Sequence, residues 1–205
     1  MQTQLRPVRT VEYSTMAYNT LPDVSSAFAA YDKCSGDALA KHLMRDLFRT
    51  HNVQGTFGLV LLHRHCLLST GERMTAMRGA KSPAPSQLGE PAVWRVNMAD
   101  GRVIPVEFAL EAGEVDWRDL RLQVFVKEFL ALLIEHQAHK HFGLCLYPGD
   151  GYPGHIEVTD GRSTVGLSPD EAHTLPPGDL REAAWFYSND HLERGCKNYC
   201  FNRRQ

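Results

Sequence analysis

No uninterrupted apolar stretch in this 205-residue chain is longer than six residues, a length that Phe57–Leu62 and Phe129–Ile134 reach. A bilayer-spanning helix needs about 20, so no membrane helix is expected. The N-terminal Met-Gln-Thr-Gln-Leu-Arg-Pro-Val-Arg has basic residues but lacks the apolar segment of a secretory signal behind them. Charge of one sign is missing too. With 22 basic against 24 acidic residues the net charge is −2, and no basic stripe exists to displace counterions, which argues against a nucleic-acid partner. Cysteine is scarce and odd in number: Cys34, Cys66, Cys145, Cys196 and Cys200 follow no framework spacing, which predicts free thiols and a reducing, cytoplasmic setting. A Gly-x-Ser-x-Gly elbow, a Walker loop and a His-Glu-x-x-His helix are all absent, so familiar hydrolase and nucleotide mechanisms have no motif to stand on.

What is present is the composition of a globular domain, 43% apolar and 22% charged, with ten histidines as the outlier. Residues 1–30 mix Thr, Ser, Pro and single apolar side chains without a period, and read as a loosely held arm before a single domain over 31–205. Ser35-Gly36-Asp37 can open a helix to about His51, with Leu39, Leu43 and Leu47 on one face. A longer helix is expected from Asp116 to His136, carrying a wide stripe of Leu120, Val124, Leu130 and Ile134 with Phe125, Phe129 and Leu133. Phe57-Gly-Leu-Val-Leu-Leu and Phe142-Gly-Leu-Cys-Leu read as buried strands. Asp100-Gly101 and Asp160-Gly161 each sit between alternating segments and predict hairpins. Residues 69–92, rich in Ser, Gly, Pro and Ala, read as a long loop with at most a short strand near Met74–Met77. The sum is an α+β fold: a mostly antiparallel sheet with two principal amphipathic helices packed on one face. One echo crosses it, His51 and His136 each standing six residues before a Phe-Gly-Leu-x-Leu strand.

Histidine clusters are the places where chemistry could live. In His63-Arg64-His65 the two imidazoles fall on one face of a strand and can chelate an ion or work as acid and base near neutral pH, while Arg64 or Arg78 would hold an anionic group. His136, His139 and His141 form a second group, whose strand parity points it away from His63 and whose simpler role is to complement a helix C-terminus. His155 and Glu157 follow a Gly/Pro turn and share a strand face. Together His63, His65, His155 and Glu157 make a three-His, one-Glu set suited to a divalent ion such as zinc or iron. The spacing His191-x4-Cys196-x3-Cys200 is incomplete for structural zinc.

His63-Arg64-His65 and the later His155 after a Gly/Pro turn resemble the two motifs of the cupins, which implies a metal-binding barrel. Glu72 lies seven residues past His65, and a long helix falls where a cupin would continue in strands. Phe-Gly-Leu-Val-Leu-Leu-His-Arg-His after a capped helix also resembles a stretch of uncharacterised intracellular proteins of filamentous fungi, over residues 37–68. That resemblance implies no activity. Three functions follow as expectations: a small-molecule enzyme using His63, His65 and Arg64 in a sheet-end pocket, a non-catalytic ligand- or protein-binding module, and a cupin-like metal binder.

Overall fold

The computed structural model describes residues 8–77, 79–175, 178–188 and 197–203. Its centre is a closed barrel of ten strands: β1 (Phe57–Leu61), β2 (Glu72–Met77), β3 (Ala80–Pro85), β4 (Glu90–Val96), β5 (Val103–Ala109), β6 (Phe142–Leu146), β7 (His155–Asp160), β8 (Ser163–Leu167), β9 (Gly178–Trp185) and β10 (Lys197–Arg203). Around the barrel the order is β1-β6-β4-β5-β2-β3-β8-β7-β10-β9, and β9 returns to β1 through Leu59↔Trp185 and Val60↔Ala184. Most neighbours are antiparallel, but β2 runs parallel to β5 and β10 parallel to β7.

This corrects the α+β expectation. The two hairpins form where the Asp-Gly turns place them, β4–β5 and β7–β8. Four further strands join the sheet's edges into a closed, mixed wall: β2 and β3 in the segment expected as a long loop with at most a short strand near Met74–Met77, and β9 and β10 in a C-terminal part for which no strand is expected. Barrel closure removes the open edges that an unpaired sheet would leave to water or to other chains. β3, Ala-Lys-Ser-Pro-Ala-Pro, shows how proline is accommodated. It pairs with β8 only through Ala80 and Lys81, so Pro83 and Pro85 lie where that side of the strand needs no amide donor.

Five α-helical segments accompany the barrel among the described residues: α1 (Thr15–Asn19), α2 (Val24–Lys33), α3 (Gly36–Ala38), α4 (Arg45–Thr50) and α5 (Leu120–Glu135), with Leu39–Met44 a π-helical passage joining α3 to α4. Asp23 caps α2 by accepting from Ser26 N–H, and Asp119 caps α5 by accepting from Arg121 N–H. Outward residues of the wall, Phe57, Leu59, Leu61, Phe142, Leu144 and Trp185, pack with Phe48, Phe125, Phe129 and Leu133 of the helices in the larger apolar core. Inward residues Leu62, Val93, Val106, Cys145, Ala184 and Phe186 form a second core inside the barrel.

The repeated His…Phe-Gly-Leu segments adopt one local solution twice. After α4 the amide of Val53 bonds to Phe48 O and that of Asn52 to Arg49 O; after α5 the amide of Ala138 bonds to Leu133 O and that of Gln137 to Ile134 O. These are paired Schellman closures, with Asn52 (φ 51°) and Gln137 (φ 54°) both left-handed. The strands that follow pair antiparallel about Leu59↔Leu144, placing the two units around a local two-fold. Each unit's glycine faces inward: a Cβ on Gly58 would sit 2.5 Å from the Phe186 ring, and one on Gly143 would overlap Trp94 O and the Leu62 side chain.

Within and just beyond residues 1–30, expected as a loosely held arm, Thr15–Asn19 and Val24–Lys33 are helical. Tyr18 and Leu21 join the inner core, and Ala27 and Phe28 join the outer one. Asn19 holds Leu68 through both its amide and its carbonyl, so α1 and the segment after β1 are fastened together.

Candidate metal centre

The strand that begins at Phe57 stops at Leu61, and this early stop creates the site. Leu62 N–H still bonds to His141 O, but Arg64 N–H turns to Pro22 O and His65 N–H to the Tyr18 hydroxyl (2.9 Å). Leaving the strand frees His63 from the outward parity of Phe57, and its ring lies in the interior beside His65, with centroids 4.9 Å apart. His63, His65 and Glu157 each bring one donor atom to a common point, all within 4.8 Å of one another, so this group could hold a metal ion.

Each ring has a second contact that orients it. His63 Nδ1–H donates to Leu61 O (2.8 Å), which leaves Nε2 as the lone-pair nitrogen facing the cluster. Burial, reinforced by the neighbouring His65, pushes His63 down to about 4, so it is neutral at physiological pH. His65 sets Nδ1 3.2 Å from Thr159 Oγ1, and its Nε2 lies 3.3 Å from Glu107 Oε1 and 3.5 Å from Glu157 Oε2 with no well-directed hydrogen bond.

Lys81 joins the two acids. Its Nζ is 2.8 Å from Glu107 Oε2 and 2.8 Å from Glu157 Oε1. Burial alone would discharge all three groups. For Lys81 the two carboxylates outweigh that cost and raise its affinity for the proton. Burial would raise both acids, yet Lys81 leads the opposing interactions, holding Glu107 at about 2 and Glu157 well below the usual carboxylate range. His155 Nε2 supports Glu157 Oε1 from 2.9 Å, and Tyr152 Oη meets His155 Nδ1 and donates to Asn198 Oδ1 (2.6 Å). Cys200 Sγ stands 3.2 Å from His63 Nε2 and 3.4 Å from Glu157 Oε2. Burial, with Glu157 adding to it, pushes this thiol well up.

Of the sequence candidates, His63, His65 and Glu157 come together. His155 orients Glu157 and is not one of the three donors. Arg64 is directed elsewhere, donating to Leu21 O and lying 3.8 Å from Asp23 Oδ2. His141, just before β6 begins, lines a groove with Lys33 and Cys34 and does not join the cluster. Arg78, His191 and Cys196 lie outside the described residues.

Sequence reasoning missed Lys81, Glu107, Tyr152 and Cys200. Glu107 had a signal, being the one charge in Val-Ile-Pro-Val-Glu-Phe-Ala, and a charge in a buried strand needs a partner. Lys81 had none, since its segment reads as loop.

Comparison with protein-family models, with curated proteins and with solved structures finds no match to this chain. The ten-stranded mixed barrel also differs from the eight-stranded double-sheet jelly roll of the cupins. No helix among the described residues is long and apolar enough to cross a membrane.

Proposed function

We propose that this protein is a metal-dependent enzyme acting on a small organic molecule inside the barrel, with His63, His65 and Glu157 holding one divalent ion. The observation that carries this reading is the convergence of two imidazoles and a carboxylate within 4.8 Å, at the wall of a cavity of about 330 Å³ that His63 and Glu157 both line. Two nitrogens and one oxygen suit zinc or ferrous iron, and three protein ligands leave positions open for water or substrate. Such an ion polarises a bound oxygen or acidifies a bound water. The chain's own groups do the positioning: Leu61 O sets the His63 tautomer, Thr159 steadies His65, and Lys81 with His155 aims Glu157. Charge favours a cation as well. Two buried carboxylates against one ammonium leave the cluster at −1, and unbalanced charge is costly in an interior.

A metal-free binding pocket competes, favoured by the position of His65 Nε2 between Glu107 and Glu157. Elemental analysis separates the two. Protein purified without chelator is expected to carry about one equivalent of zinc or iron, and His65→Ala and Glu157→Gln to lose it with unchanged far-UV circular dichroism. Wild-type protein that neither carries nor takes up zinc, iron or manganese overturns the metal reading and leaves the binding pocket.

A further inference from the structure

The cavity beside the cluster has two unlike ends. Leu62, Val93, Val106, Ala184 and Phe186 belong to the inner apolar core and line most of its wall. His63, Lys81, Glu107, Tyr152, His155 and Glu157 are gathered on the remaining side. A ligand made of water-seeking groups throughout would strand them against the apolar wall, and a pure hydrocarbon would leave the polar side facing nothing. The volume, about 330 Å³, holds roughly ten non-hydrogen groups at about 30 Å³ each.

Charge specifies the head group. Lys81, Glu107 and Glu157 sum to −1, and a divalent ion on His63, His65 and Glu157 brings the site to +1. One anionic oxygen group on the ligand restores neutrality. A dianionic head would overshoot, and a cationic one would meet both Lys81 and the ion.

We propose that the cavity takes a single-tailed amphiphile, with one monoanionic oxygen head group at the metal and Lys81 side and an apolar body of about seven carbons along Leu62, Val93, Val106 and Phe186. This rests on the metal reading above, and straight-chain alkanoates from acetate to dodecanoate probe both parts of it. Calorimetry on zinc-loaded wild-type protein is expected to show affinity rising about fourfold per methylene, up to about octanoate, and then levelling or falling as the cavity fills. Metal-stripped protein should bind each alkanoate at least tenfold more weakly, and matching n-alcohols should bind more weakly than the acids. Ala184→Phe should move the break to shorter chains with metal content unchanged. Val93→Ala, which trims the wall instead of filling the space, should move it to longer ones.

Stoichiometric zinc together with affinities independent of chain length overturns the amphiphile inference and leaves the metal centre standing. Affinities that are equal for acids and alcohols of matched length, and equal with and without zinc, overturn the head-group assignment. If wild-type protein also carries and takes up no metal, the metal reading falls with it.

Discussion

Lys81 is the residue whose removal would report most directly on the interior. It is the single ammonium between two buried carboxylates, each 2.8 Å away. In metal-free protein Lys81→Met should lower stability by about 3–5 kcal/mol, because the acids are left buried and unpaired. Adding Glu107→Gln should recover most of that loss, since the remaining acid, Glu157, keeps His155. Urea melts of the single and double variants decide it: a double variant no more stable than the single would mean that Lys81 acts through packing. The thiols give a second reading at this scale. Burial drives Cys145 up to about 12 and Cys200 well up, while Cys34 and Cys66 are only partly buried and are raised less. Iodoacetamide at pH 8 should therefore label Cys34 and Cys66 in the native protein and leave Cys145 and Cys200 until urea is added. Mass spectrometry of peptides from native protein checks this, and early labelling of Cys145 would place that strand at the surface.

At the scale of elements, the two helix–strand units make a comparison inside one chain. Both close with a left-handed residue, Asn52 in one and Gln137 in the other. Asn tolerates that region better than Gln, and glycine better than either. Gln137→Gly should thus stabilise the protein by about 0.5–1 kcal/mol, and Asn52→Gly should do little. A loss of stability in Gln137→Gly would show that contacts of the glutamine side chain outweigh the backbone strain. The same units explain the legible part of the sequence. Phe125, Phe129 and Leu133 of the expected α5 stripe are buried, together with Leu122 and Val126, whereas Leu120 and Ile134 of that stripe are exposed, and Phe57, Leu59 and Leu61 alternate against the buried face. The strand parity of His63 misled because β1 ends at Leu61, two residues before it. Parity holds only while a strand keeps its pairing.

For the whole molecule, closure depends on the last strand. β10 bridges β9 and β7, and it carries Cys200 to the cluster. Deleting residues 197–205 should reopen the barrel at two strand edges, abolish the cooperative melt and promote aggregation. Hydrogen exchange would show the loss first in β7 and β9. A deletion variant with a native-like melt would mean that the remaining nine strands close without it.

The sequence by itself determined what neighbours along the chain decide: the α5 helix with its buried Phe125, Phe129 and Leu133, the two Asp-Gly hairpins, the buried Phe-Gly-Leu strands and the type of residue, His63, His65 and Glu157, from which a metal centre can be built. These depend on periodicity and turn chemistry, which act over a few residues. Closure of the barrel, the use of residues 72–85 as wall, and the arrival of Lys81, Glu107 and Cys200 beside the histidines were decided only in the tertiary structure. Strand pairing is non-local. β3 with its prolines becomes a strand because β2 pairs with it along its length, and Lys81 stays charged in the interior because two acids from other strands meet it there.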